Sequence, residues 1–147
     1  MGASPGAAET SLQILDEIGW GSRSTVYRGR RGDRLYAVKV LDATRDRHAS
    51  GDDHAFRREA ELLAGVDHPG LARVHEVGVL AGRPYLVMDL LEGRRLAEVL
   101  ADGQMPLDLL LRVAADVAAA LGAAHRAGLV HRDVKPDNIV IGVHGLS

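Results

Sequence analysis

The chain has 147 residues, 46% hydrophobic and 26% charged, a balance that excludes wholesale disorder and leaves apolar material for one sizeable core. A net charge of −2 excludes a general attraction to nucleic acid or anionic membrane. The absence of cysteine excludes disulfides, thiolate zinc sites and cysteine nucleophiles, and fits a reducing cytoplasm. Residues 1–11 carry neither a positive n-region nor an apolar h-region and read as a flexible tail, and no apolar run reaches the length of a membrane span.

From Leu12, the alternation of Leu12, Ile14, Asp16 and Ile18 predicts a half-buried strand running into a glycine turn. The β-rich runs 25–29 and 35–41, joined by Arg31-Gly32-Asp33, predict a hairpin. Residues 42–51 are polar and read as a solvated loop. Over 52–66, Phe56, Glu59, Ala60 and Leu63 share one helical face, and His68-Pro69-Gly70 ends that helix. Two further strands are predicted over 71–80 and 84–90, separated by Ala81-Gly82-Arg83. At Glu92-Gly93 the pattern turns helical, with a short helix over 96–101 and a long one over 106–127. The long helix has a predicted core stripe of Leu110, Val113, Val117, Leu121 and Ala124 and is stopped by Gly128. No internal repeat is present, so Glu92-Gly93 reads as a hinge between two lobes.

Gly19-Trp20-Gly21-Ser22-Arg23-Ser24 is by itself compatible with an ordinary hairpin turn. Dinucleotide binding requires such glycines to open a helix, whereas Thr25-Val26-Tyr27 continues as strand. A glycine loop between antiparallel strands can instead lie over a nucleoside triphosphate, with Val26 packed on the base. Lys39 then follows on a strand from which an ammonium reaches the α- and β-phosphates. The chain has sixteen arginines but only two lysines, Lys39 and Lys135, which suggests that these two sites need a compact ammonium rather than a planar guanidinium. Glu59 belongs either to the solvated Arg57-Arg58-Glu59-Glu61 cluster or, on the Phe56/Leu63 face, to an ion pair with Lys39. His48 and His54 lack a cysteine pair for zinc, and neither a Walker loop nor a Gly-x-Ser-x-Gly elbow occurs.

His131-Arg132-Asp133-Val134-Lys135-Pro136-Asp137-Asn138 resembles the catalytic loop of eukaryotic-type serine/threonine protein kinases of bacterial origin, and the resemblance extends from about Leu12 onward. It implies an α+β protein-kinase-like fold. Residues 12–91 would form an N-lobe of a five-stranded antiparallel sheet plus one helix, and 92–147 the first part of a mainly helical C-lobe. It implies Asp133 as catalytic base, Lys135 as the cation on the transferring phosphate and Asn138, the only asparagine, as a magnesium ligand. Ile18, Gly19, Gly21, Ser24, Val26, Ala37, Lys39, Glu59, Met88, Asp89, Leu91 and Val140 would bind ATP, with Met88 as gatekeeper and the Asp89 and Leu91 backbone on adenine. Leu63, Val74 and His131 would stack as a spine.

The implied partners are ATP, Mg2+ and a protein substrate with a Ser or Thr acceptor, in the cytoplasm. Nucleic acid and a membrane segment within the chain are not expected. The residues after Ile141 contain no Asp-Phe-Gly segment, so the remaining C-lobe is an expected intramolecular partner and the isolated chain is expected to have little activity. The alternatives are a non-catalytic nucleotide- or partner-binding kinase-like fragment and a small-molecule phosphotransferase.

Overall fold

A computed structural model of the chain describes residues 11–20, 24–41, 58, 60–103, 105–131 and 133–142. Strands β1 (Gln13–Trp20), β2 (Ser24–Arg31), β3 (Arg34–Leu41), β4 (Val74–Leu80) and β5 (Arg83–Asp89) form one antiparallel sheet in the order β1-β2-β3-β5-β4. The β2–β3 turn is Gly32-Asp33, with Gly32 at φ 61°, and β4–β5 turns on Ala81 and Gly82 at φ 49° and 75°. A tight hairpin matches the strand twist with positive φ at its first central residue, as at Gly32, or at both, as at Ala81 and Gly82, and Ala81 takes that φ without the freedom of glycine.

Register sorts the sheet into two faces, because directly opposed residues of an antiparallel pair project to the same side. Val26 opposes Lys39, Ala37 opposes Met88 and Lys39 opposes Leu86, so Val26, Ala37, Lys39, Leu86 and Met88 share one face. Helix α1, described at residue 58 and over 60–64, packs on that face. Its Ala60 is buried with Val74 and Leu86, and Leu63, Val77 and Met88 pack around them. The helix ends at residue 64 rather than at 66, closing with the tight bonds Gly65 N–H to Leu62 O and Val66 N–H to Leu63 O.

The opposite face buries Val38 and Val87 most deeply, at 2% and 0% exposure. A polar belt crosses it: Glu76 accepts from Arg31 Nη2 at 2.6 Å and from Tyr85 OH at 2.6 Å, joining β2, β4 and β5. Tyr85 lies so close over Gly78 that a Cβ there would meet its ring at 2.7 Å.

Beyond the sheet come helices α2 (Leu96–Ala101) and α3 (Leu107–Arg126), and a two-stranded ribbon of β6 (Arg94–Arg95) with β7 (Val140–Ile141). Pro106 immediately precedes α3. Gly128, at φ 82°, ends it as expected, with Leu129 N–H bonded to Ala124 O and Gly128 N–H to His125 O, the paired bonds of a left-handed helix stop. Leu129 and Ala124 then pack with Val66 into a second buried cluster that ties α3 to the segment after α1.

The core stripe of α3 departs from the expectation. Val113 and Ala124 are buried, Val117 and Leu121 are half-buried and Leu110 is 42% exposed, while Ala120, outside the expected stripe, is buried. Small residues carry the seam because the chain comes very close here: a Cβ on Gly70 would sit 3.0 Å from that of Ala120. Leu110 lies two to three turns toward the helix start, away from this approach.

Candidate active site

Of the expected nucleotide residues, Val26, Ala37, Lys39 and Met88 share one face of the sheet, and Leu91 lies on the segment leaving it. Ile18 and Gly19 lie near the end of β1, Gly19 opposes Val26, and Ser24 begins β2 opposite Leu41. Ala37 is buried, whereas Val26, Lys39 and Met88 are half-buried, as side chains lining a cleft are. Gly21 and Glu59 lie outside the described residues, and with them the expected Lys39–Glu59 ion pair and the 42–51 loop.

After Met88 the chain leaves the sheet through Asp89. The Asp89 N–H is spent on Arg73 O at 3.0 Å. The Leu91 N–H makes no backbone hydrogen bond among the described residues. Gly93 then turns at φ 151°, a conformation reserved largely for glycine, and passes so close to β7 that a Cβ would overlap the Ile141 carbonyl oxygen. That contact fixes the ribbon in which Arg95 opposes Val140, so Val140 is held beside the segment that follows the sheet. Leu96 N–H donates to Ile139 O at 2.8 Å, fastening the start of α2 to the chain just after Asn138.

Asp133, Lys135 and Asn138 converge. A short 3-10 turn over Pro136–Asn138 bends the chain back, with proline at its start where the missing N–H costs nothing. Asn138 Nδ2 consequently donates both to the Asp133 carbonyl, at 2.8 Å, and to Asp133 Oδ2, at 3.0 Å. Lys135 Nζ stands 3.3 Å from the same Oδ2. The Asn138 hydrogen bond, followed by that of Lys135, holds the Asp133 carboxyl below the ordinary carboxylate range despite a small opposing effect of burial. Asp133 is therefore ionised at neutral pH. Both donors approach Oδ2, no hydrogen bond to Oδ1 is found among the described residues, and the amide orientation turns Asn138 Oδ1 away from the Asp133 oxygens.

Leu63 and Val74 do pack together, but His131 is exposed and its Nδ1 accepts from Asp133 N–H at 3.3 Å, so its described role is to shape the loop. Two residues escaped the sequence reading. Arg95 Nη2 crosses from β6 to lie 3.6 Å from where a Cβ of Gly19 would be, spanning the sheet and the ribbon. His75 bonds Asp89 on the sheet's other face, Nε2 to Oδ1 at 2.6 Å. Neither carries a motif; only the strand order brings each to its partner.

Comparison with known proteins establishes the family and the fold. The profile of the protein kinase domain matches residues 12–145. The serine/threonine-protein kinase PknL of Mycobacterium bovis is 46% identical over 138 residues, spanning 90% of this chain and 34% of that protein. The serine/threonine-protein kinase pkn2 of Myxococcus xanthus is 38% identical over 133 residues, 88% of this chain and 16% of its own length. The crystal structure of the Mycobacterium tuberculosis PknI kinase domain superposes with a TM-score of 0.78 at 28% identity, covering 99% of this chain and 59% of that one. The chain thus spans about a third or less of the length of these curated relatives. Among the described residues no helix is long and apolar enough to cross a membrane. With its five-stranded sheet and helix followed by the start of a helical lobe, the chain belongs to the bacterial-type serine/threonine protein kinase family.

Proposed function

We propose that the protein containing this chain transfers the γ-phosphoryl group of ATP to serine or threonine hydroxyls of cytoplasmic protein substrates, with the lobes divided at 91/92. The observation that carries the reading is the Asp133–Lys135–Asn138 convergence, which supplies a carboxylate, a cation and an oxygen ligand within hydrogen-bonding reach of one another. Phosphoryl transfer asks for positioning and charge neutralisation more than for covalent chemistry. Held ionised, Asp133 orients the acceptor hydroxyl through Oδ1 and receives its proton as the phosphoryl group departs. Lys135 balances charge on the transferring group, and Lys39 holds the α- and β-phosphates under the loop that includes Gly19, Gly21 and Ser24. Val26, Ala37 and Val140 enclose the base, Met88 limits the depth of its pocket, and the Asp89 and Leu91 backbone bonds its edge. Ile18 packs at the loop's start, and Glu59 pairs with Lys39.

Asn138 Oδ1 fits magnesium, which takes few protein oxygens and completes its shell with water and phosphate oxygens. When bound, the metal neutralises phosphate charge.

Incubation of the full-length protein with γ-labelled ATP, magnesium and generic protein and small-molecule acceptors side by side tests the reading. Label on serine or threonine of protein is expected. Label confined to small molecules would assign a small-molecule phosphotransferase, and ATP binding without any transfer would assign the non-catalytic role.

A further inference from the structure

On the face of the sheet turned away from the cleft, directly behind Asp89, lies a side-chain cluster that none of the proposed catalytic steps uses. Asp89 opposes Tyr36 across β3–β5, and its carboxylate points to that outer face. There Oδ1 is bonded to His75 Nε2 at 2.6 Å and approached by Arg34 Nη2 at 3.6 Å, while Oδ2 accepts from Arg73 N–H at 3.3 Å. Tyr36 meets the His75 ring edge-on at a centroid distance of 5.3 Å, and the Arg34 guanidinium sits 5.4 Å from the Tyr36 ring centre. His75 is therefore held by an aromatic wall on one side and a carboxylate on the other. Burial disfavours the Asp89 anion, but the His75 hydrogen bond, the Arg73 N–H and nearby Arg34 outweigh it and hold the carboxyl below its ordinary range.

We propose that His75 is a positioning residue for base recognition, acting through Asp89. It rests on the reading that the 89–91 backbone bonds the adenine edge. Asp89 is the last residue of β5, and beyond it nothing in the sheet's ladder orients the chain until Gly93 meets β7. Gripping Asp89 from behind by its side chain, and by the Asp89 N–H to Arg73 O bond, aims the backbone groups of the next residues into the cleft. Removing the grip leaves the chain intact but gives the base-binding segment more conformations to lose when the base binds.

Adenosine, which has the base without phosphate, and inorganic tripolyphosphate, which has phosphate without the base, separate this role from general weakening. In the full-length protein, His75→Ala is expected to weaken adenosine about three- to tenfold, the scale of one lost hydrogen bond and its preorganisation. Tripolyphosphate affinity and kcat at saturating ATP should stay unchanged. His75→Gln, which retains a donor toward Asp89, should recover most of the adenosine affinity. If His75→Ala does not fold, Asp89→Asn, which removes the charge but keeps the shape, should weaken adenosine by about twofold or more with tripolyphosphate unaffected. Equal weakening of both ligands, or adenosine affinity unchanged in every folded variant, overturns the inference. Failure of the wild-type protein to bind adenosine or ATP at all would instead remove the nucleotide reading beneath it.

Discussion

Gly93 and Gly103 offer a matched pair for testing how the ribbon is held. Both adopt φ values that L side chains rarely take, 151° and 141°, so alanine at either site carries backbone strain of about 1–3 kcal/mol. Their surroundings differ: a Cβ on Gly93 would overlap the Ile141 carbonyl oxygen and lie 2.9 Å from Gly142 Cα, whereas one on Gly103 meets nothing within 4 Å. The obstacle at Gly93 is backbone, which cannot rotate aside, so β6 and β7 must part. Overpacking of this kind costs about 1–3 kcal/mol beyond the strain. Gly93→Ala should therefore melt about 2–12 °C below Gly103→Ala, at roughly 2–4 °C per kcal/mol for a domain of this order of size. Because Val140 moves with β7, only Gly93→Ala should also raise KM for ATP. Thermal melts of the two full-length variants with an ATP titration decide it; equal melting temperatures and equal KM values would refute the argument.

Two further outcomes follow from the sheet. Tyr85 and then Arg31 hold the Glu76 carboxyl below its ordinary value against the effect of burial, so their stabilisation is present above the unfolded carboxylate pKa of about 4.3 and is lost as pH falls through the folded value. Glu76→Gln should flatten that acid limb in urea titrations at successive pH values; an unchanged limb would show that the belt contributes nothing. Ala81→Asn should stabilise by about 0.4–1 kcal/mol because asparagine tolerates the positive φ that alanine resists at 49°, and a lowered urea midpoint would contradict the hairpin geometry.

Much of this was readable in the chain. Alternation and β-rich runs placed all five strands within a few residues, glycine marked the turns at 32, 82 and 128, and the resemblance of 131–138 to a kinase catalytic loop singled out Asp133, Lys135 and Asn138. What escaped reading depends on strand order. Arg31 and Glu76 are 45 residues apart and meet only because β3 and β5 lie between β2 and β4. His75 and Arg95 look like ordinary polar residues until the sheet edge and the ribbon bring them to Asp89 and Gly19. On α3 the period was right, and Val113 and Ala124 are buried as expected, but the weight placed on Leu110 belonged to Ala120.

The central claim is that Asp133 serves the transfer step rather than the binding of nucleotide. Its most direct test is kcat and ATP Kd measured together for full-length Asp133→Asn. The carboxylate meets the acceptor hydroxyl and leaves the phosphate cradle intact, so kcat should fall about 10²–10⁴-fold with Kd within about twofold of wild type. A variant that phosphorylates protein serine or threonine at the wild-type rate would contradict the account.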